Sequence, residues 1–126
     1  MTVRTYCQKS VMVWLLLVLP AVAIEIIETL LGFDARYVRS AILEGQWWRL
    51  LSGHLDHLGW AHLGLNGAFL ALLLVLFEPL QAVLKTFLLW LFICLSTSLL
   101  MLLFSPELQW YVGLSGSLYG LLILGV

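Results

Sequence analysis

Three apolar stretches of about 20 residues each constrain this chain more than any other feature of its sequence. They cover residues 11–31, 58–77 and 86–104, and a fourth stretch covers residues 114–126. A helix needs roughly 20 apolar residues to cross the hydrocarbon core of a bilayer. Hydrophobic residues make up 63% of the chain and charged residues only 10%, a balance that a soluble domain of this size does not have. The sequence therefore predicts a single membrane domain, residues 1–126, and an integral, multi-pass protein.

The fourth apolar stretch is too short to cross a bilayer by itself. A dozen or so residues at about 1.5 Å rise reach roughly 18 Å, whereas the hydrocarbon core is about 30 Å thick. We therefore expect the sequence to end inside the fourth span and the protein to be incomplete. The predicted fold class is all-α, a polytopic transmembrane helical bundle.

Charge and cysteine content exclude several function classes. The chain has 6 Lys and Arg residues against 7 Asp and Glu residues, a formal net charge of −1. Because these charges form no basic patch, we expect no nucleic-acid partner. Cys7 and Cys94 have neither the spacing of metal ligands nor that of a disulfide framework.

A serine surrounded by glycines opens the fourth apolar stretch, in the motif Gly113-x-Ser115-Gly116-x-x-x-Gly120. A helix start carries unpaired backbone N–H groups and the positive end of the helix dipole. This setting suits a serine that attacks a carbonyl and needs its oxyanion stabilised. The alternative is that Gly116 and Gly120 form a small-residue face for close helix packing.

A second polar cluster lies at the start of the 58–77 span. His62 and Asn66 are four residues apart and therefore share one face of a helix, and His57 lies just before them. If successive spans alternate in direction, this cluster and Ser115 lie on the same side of the membrane. The imidazole and carboxamide could then donate hydrogen bonds to an oxyanion. The alternative is that they hydrogen-bond neighbouring helices.

A metal site is a third interpretation of the same region. His54 and His57 are three residues apart with Asp56 between them, and neutral imidazole suits zinc or copper. A small transporter or metal-binding membrane protein would use such a cluster. However, no fourth ligand with helical spacing follows, and Asp56 should point away from the histidines, so we expect no metal here.

Three motifs carry a resemblance to a known family. They are Trp48-Arg49, His57-x-x-x-x-His62-x-x-x-Asn66 and Gly113-x-Ser115-Gly116-x-x-x-Gly120. Found in this order and on these spans, they resemble the rhomboid intramembrane serine proteases over residues 46–125. In the first loop, which joins the 11–31 and 58–77 spans, residues 45–54 are most similar to the rhombosortase branch, bacterial proteases that process proteins bearing a carboxy-terminal Gly-Gly sorting tail.

The resemblance implies roles for the polar motif residues. Ser115 would be the nucleophile, and His62 and Asn66 would stabilise the oxyanion together with the Ser115 backbone N–H. His57 would be a structural or water-binding residue at the mouth of the cavity. Trp48 and Arg49 would help to fix the first loop.

The fourth-span motif has supporting residues as well. By the same resemblance, Tyr119 would pack against the catalytic histidine. Gly113 belongs to the motif around the nucleophile, and Gly116 and Gly120 would let the fourth and sixth spans approach closely.

The implied activity is that of a serine endopeptidase in the lipid bilayer of the bacterial inner (plasma) membrane. It would cleave transmembrane or tail-anchored protein substrates, with no metal or organic cofactor. The family's general base is a histidine on the sixth of about six spans, which this sequence does not reach. We therefore expect the 126 residues alone to be inactive and the complete protein to be the enzyme. The alternative is a rhomboid-like pseudoprotease that binds transmembrane helices without cutting them.

Overall fold

The chain folds as a helical bundle, which confirms the predicted all-α class. The computed structural model describes residues 2–125, apart from the side chain of Gln81. In chain order the elements are α1 (Val3–Leu31), β1 (Tyr37–Val38), α2 (Arg39–Leu43), α3 (Arg49–Leu55), α4 (Trp60–Leu76), a 3₁₀ turn (Glu78–Gln81), α5 (Val83–Phe104), β2 (Trp110–Tyr111) and α6 (Ser115–Gly125).

Helices α1 and α5 are each long and apolar enough to cross a membrane. Helix α1 begins at Val3, upstream of the expected start at residue 11, and the Thr2 hydroxyl caps it by accepting a hydrogen bond from the Thr5 N–H. It continues through Pro20 and ends at Leu31, with Gly32 as the C-cap. Helices α3 and α4 meet at an angle of 88°. Taken together, the bent pair is also long and apolar enough to be a third candidate span.

The core of the bundle lies where α1 and α5 pack against α4 and α6. The Trp14 indole N–H donates to the Gly67 carbonyl at 2.8 Å, which places α1 directly against α4. The Trp90 indole N–H donates to the Ser117 hydroxyl at 3.1 Å and joins α5 to α6 in the same way. Large apolar side chains such as Phe92 and Ile123 are exposed on the outside. In a bilayer this outer surface contacts lipid, which is as apolar as the side chains themselves.

Backbone hydrogen bonds join the first loop to the segment that precedes α6. Strand β1 pairs antiparallel with β2, with Tyr37 opposite Tyr111 and Val38 opposite Trp110. The Gly113 N–H also donates to the Gly53 carbonyl of α3 at 2.9 Å. The first loop is therefore packed directly beside the start of α6.

We expect Gly53→Ala to destabilise the bundle by about 1–3 kcal/mol, the usual cost of overpacking a buried site. A Cβ at Gly53 would lie 2.5 Å from the Tyr37 backbone N and 2.7 Å from the Tyr37 Cβ. Tyr37 is fully buried and held in the strand pair, so it has no room to move. Thermal unfolding in detergent measures the effect. Gly64→Ala is the control, because a Cβ there has no neighbour within 4 Å; equal stability of the two variants would contradict this account.

Candidate active site

Ser115 is the first residue of α6 and follows a tight turn at Gly113. Gly113 has φ +108°, a backbone conformation that residues with a side chain rarely adopt. The Tyr111 hydroxyl fixes this turn because it donates to the Gly113 carbonyl at 3.0 Å and accepts from the Gly116 N–H at 3.2 Å. The Ser115 hydroxyl makes no hydrogen bond with any residue in the described range 2–125, so it is free to meet a ligand.

His62 and Asn66 of α4 lie directly against the turn before Ser115. A Cβ placed on Gly113 would be 2.8 Å from His62 Cε1, 3.2 Å from His62 Nε2 and 3.6 Å from Asn66 Nδ2. His62 Nδ1 accepts a hydrogen bond from the Leu58 N–H at 3.3 Å. In a neutral imidazole this leaves the proton on Nε2, the nitrogen that faces the turn.

Asn66 provides a buried hydrogen-bond donor that the described residues leave unused. Its side chain is 5% exposed, and its Nδ2 group has no acceptor among residues 2–125. An unpaired buried donor costs about 1–3 kcal/mol, so a folded protein keeps one only where something compensates. Together with His62 Nε2–H, it gives this turn two side-chain donors, the chemistry of an oxyanion hole.

His57 is buried between the loop before α4 and the turn before α6. Its Nδ1 contacts the Leu55 carbonyl at 2.9 Å, and its Nε2 accepts from the Leu114 N–H at 3.5 Å. The ring lies 5.0 Å from the His62 ring in an edge-to-face arrangement. The side chain is only 3% exposed, and it holds the residue that precedes Ser115.

Comparison with known families identifies the family of the chain. The family model for the rhomboid domain matches residues 44–125, more than half of the chain. The chain belongs to the rhomboid family. Comparisons with curated proteins and with solved structures gave no match.

In this rhomboid, Trp48 and Arg49 hold the first loop together. The Arg49 guanidinium donates to Gln46 Oε1 and to the Arg36 carbonyl, both at 2.7 Å, and it lies 4.5 Å from the centre of the Trp48 ring. It also approaches the Asp34 carboxylate at 3.5 Å. A side-chain hydrogen bond from Arg36 lowers the pKa of Asp34, so this carboxylate stays charged and keeps both guanidinium groups in place.

Three residues of α6, namely Gly116, Tyr119 and Gly120, also have close neighbours within the described residues. A Cβ on Gly116 would lie 2.8 Å from the Tyr111 hydroxyl, and one on Gly120 would lie 2.7 Å from Ile93 Cγ2 of α5. Within the described residues, Gly120 therefore allows α6 to approach α5 closely. Tyr119 is 59% exposed, and its ring is 5.6 Å from Phe69 of α4.

His54 and His57 do not converge on a common point, in contrast to the metal site considered from the sequence. His54 Nε2 hydrogen-bonds the Ser98 hydroxyl of α5 at 2.9 Å, and that hydroxyl donates to the Leu50 carbonyl at 2.6 Å. Asp56 faces α1, where it lies beside the carboxylates of Glu25 and Glu28. The three side chains therefore belong to three separate contacts.

Sequence reasoning missed Tyr111 as a site residue. Its hydroxyl makes both hydrogen bonds that fix the turn around Ser115, and its ring lies 5.2 Å from the His54 ring. The available signal was weak, since an aromatic pair before an apolar segment also fits an ordinary membrane-interface belt.

Proposed function

We propose that this rhomboid is an intramembrane serine endopeptidase in which Ser115 is the nucleophile. The observation that carries the proposal is the unpaired, buried Nδ2 group of Asn66 against Gly113, two residues before a serine whose hydroxyl is also free. Asn66 Nδ2, His62 Nε2–H and the Ser115 backbone N–H would donate to the oxyanion. Such donors lower the energy of the tetrahedral intermediate more than that of the substrate.

In the first chemical step, Ser115 Oγ bonds to the carbonyl carbon of the scissile peptide and loses its proton to a general base. Collapse of the intermediate breaks the C–N bond, and the protonated base returns the proton to the leaving amine. Water then attacks the acyl-enzyme, releases the second product and restores the Ser115 hydroxyl. Each step balances with one serine, one base and one water molecule.

None of the three histidines within residues 2–125 is placed to act as the general base. His62 Nδ1 accepts a hydrogen bond from the Leu58 N–H, and His57 Nε2 accepts one from the Leu114 N–H. His54 is fully buried against Ser98. Because an unassisted serine is a weak nucleophile at neutral pH, the proposal concerns the intact protein.

For substrates we propose transmembrane proteins, including tail-anchored ones, processed in a rhombosortase-like manner in a bacterial inner membrane. Support comes from the first loop, where the residues that resemble that branch form α3 and include the buried Arg49. Rhomboids act within the bilayer, and the apolar outer surface of this bundle fits that environment.

Covalent labelling tests the proposed nucleophile. We expect a fluorophosphonate probe to modify the intact protein in detergent, with the adduct located at Ser115 by mass spectrometry. Ser115→Ala should abolish labelling, and Ser105→Ala, at the end of α5, should not. An intact protein that remains unlabelled, or one labelled equally after Ser115→Ala, would overturn the proposal.

A non-catalytic rhomboid that binds transmembrane helices is the second candidate. It is favoured by the lack of a base beside Ser115 within the described residues. The coding sequence after Val126 distinguishes the two candidates. A frame that continues into further spans with a histidine supports the protease, whereas a stop codon directly after Val126 supports the binding protein.

A further inference from the structure

Three carboxylates meet where the end of α1 contacts the loop before α4. Glu25, Glu28 and Asp56 each offer an oxygen atom, and these atoms all lie within 4.8 Å of one another. Asp56 is 1% exposed and Glu25 is 6% exposed, while Glu28 is partly exposed. The cluster is therefore closed on the protein side and accessible through Glu28.

These carboxylates lack the partners that buried acids normally have. Both oxygens of Asp56 and Oε2 of Glu25 accept no hydrogen bond of normal geometry from residues 2–125. The ion pairs formed by described residues use Asp34, which engages both Arg36 and Arg49. A buried charge without a partner is strongly unfavourable, and three adjacent carboxylates increase that cost by repulsion. A positive ligand would remove it.

The geometry points to a calcium ion as that ligand: we propose that Glu25, Glu28 and Asp56 form a calcium site. Calcium prefers oxygen ligands at about 2.3–2.6 Å, so two ligands on opposite sides of the ion are about 4.6–5.2 Å apart. Atoms no more than 4.8 Å apart can therefore share one calcium ion. Magnesium demands near-octahedral geometry and keeps several of its waters, whereas calcium accepts irregular sets of carboxylate oxygens, so calcium fits three convergent carboxylates better. Water entering beside Glu28 would complete the coordination.

The ion would connect α1 to the loop that carries His57. Asp56 directly precedes His57, and a Cβ on Gly59 in the same loop would lie 4.0 Å from Glu25 Oε1. Calcium would thus hold the end of α1 against the residues that support the turn before Ser115. The inference concerns binding and stability, so it stands independently of the proposed protease activity.

Calcium titration of the intact, EDTA-treated protein in detergent tests the site. We expect added calcium chloride to raise the unfolding temperature and to displace terbium, detected by tryptophan-sensitised luminescence. Asp56→Asn should weaken calcium binding about tenfold or more, because affinity follows the number of charged ligands. Glu28→Gln should weaken it as well, and since Glu28 is partly exposed this variant tests the site if Asp56→Asn does not fold. Glu44→Gln, an exposed acid of the first loop, is the matched control.

Two results would overturn the proposal. One is an unfolding temperature that does not change up to about 10 mM calcium, above the Kd range of about 10⁻⁴–10⁻³ M typical of weak sites. The other is a calcium response that is the same in Glu28→Gln, Glu44→Gln and the wild type. In the first case, stabilisation of the EDTA-treated protein by Asp56→Asn would show that a shared proton, and not calcium, neutralises the three carboxylates.

Discussion

We expect Ser115→Ala to reduce the turnover of a transmembrane substrate by the intact protein by about 10⁶-fold, the loss found when a serine protease loses its nucleophile. The hydroxyl is the only group proposed to bond to the substrate carbonyl, and alanine offers no replacement. Stability should change by no more than about 0.5 kcal/mol, because the Ser115 hydroxyl makes no hydrogen bond with the described residues.

Single-turnover cleavage of a fluorescent transmembrane peptide in detergent measures this loss, with thermal unfolding recorded on the same samples. Ser105→Ala is the control and should keep the wild-type rate. If Ser115→Ala retained a rate within tenfold of the wild type while remaining folded, Ser115 would not be the nucleophile.

Gly113→Ala should produce the second largest effect, a fall in kcat of about 10²–10³-fold, as for removal of one oxyanion donor. The added Cβ would lie 2.8 Å from His62 Cε1 and 3.2 Å from His62 Nε2. His62 therefore has to move away from the turn, and its Nε2–H no longer reaches the oxyanion. The measurement is kcat at saturating substrate, because the expected loss concerns the transition state.

Gly45→Ala separates this contact from the backbone cost of the substitution. Gly45 has φ +107°, almost the same as the +108° of Gly113, but a Cβ there would have no neighbour within 4 Å. Both variants should lose the stability that the left-handed backbone conformation costs a residue with a side chain, and only Gly113→Ala should lose kcat. Equal losses of kcat would mean that contact with His62 is not the cause.

Hydropathy predicted the helical bundle, because long apolar segments have few alternatives in lipid. It could not predict the pairing of β1 with β2, since strands of two residues have no periodicity to detect. Hydropathy also could not predict the break between α3 and α4. That break occurs at Gly59, with φ +90°, and starts α4 at Trp60 instead of residue 58.

The candidate site was predictable only where local spacing carried the information. His62 and Asn66 share a helix face by their spacing, but their contact with Gly113 depends on how α4 packs against the turn before α6. Glu25 is buried beside Asp56, although the two residues belong to different elements. No sequence pattern links two residues so far apart. Only the three-dimensional structure shows that buried carboxylate oxygens of both residues lack hydrogen-bond partners within residues 2–125.

The pairing of β1 with β2 has a mechanical consequence for substrate entry. The first loop and the strand before Ser115 share that ladder, and the Gly113 N–H adds a further bond to Gly53. Displacement of this loop would break those hydrogen bonds and shift the turn before Ser115. If the proposed protease activity is correct, these bonds keep the first loop in place beside Ser115, and a substrate would reach Ser115 from another side of the bundle.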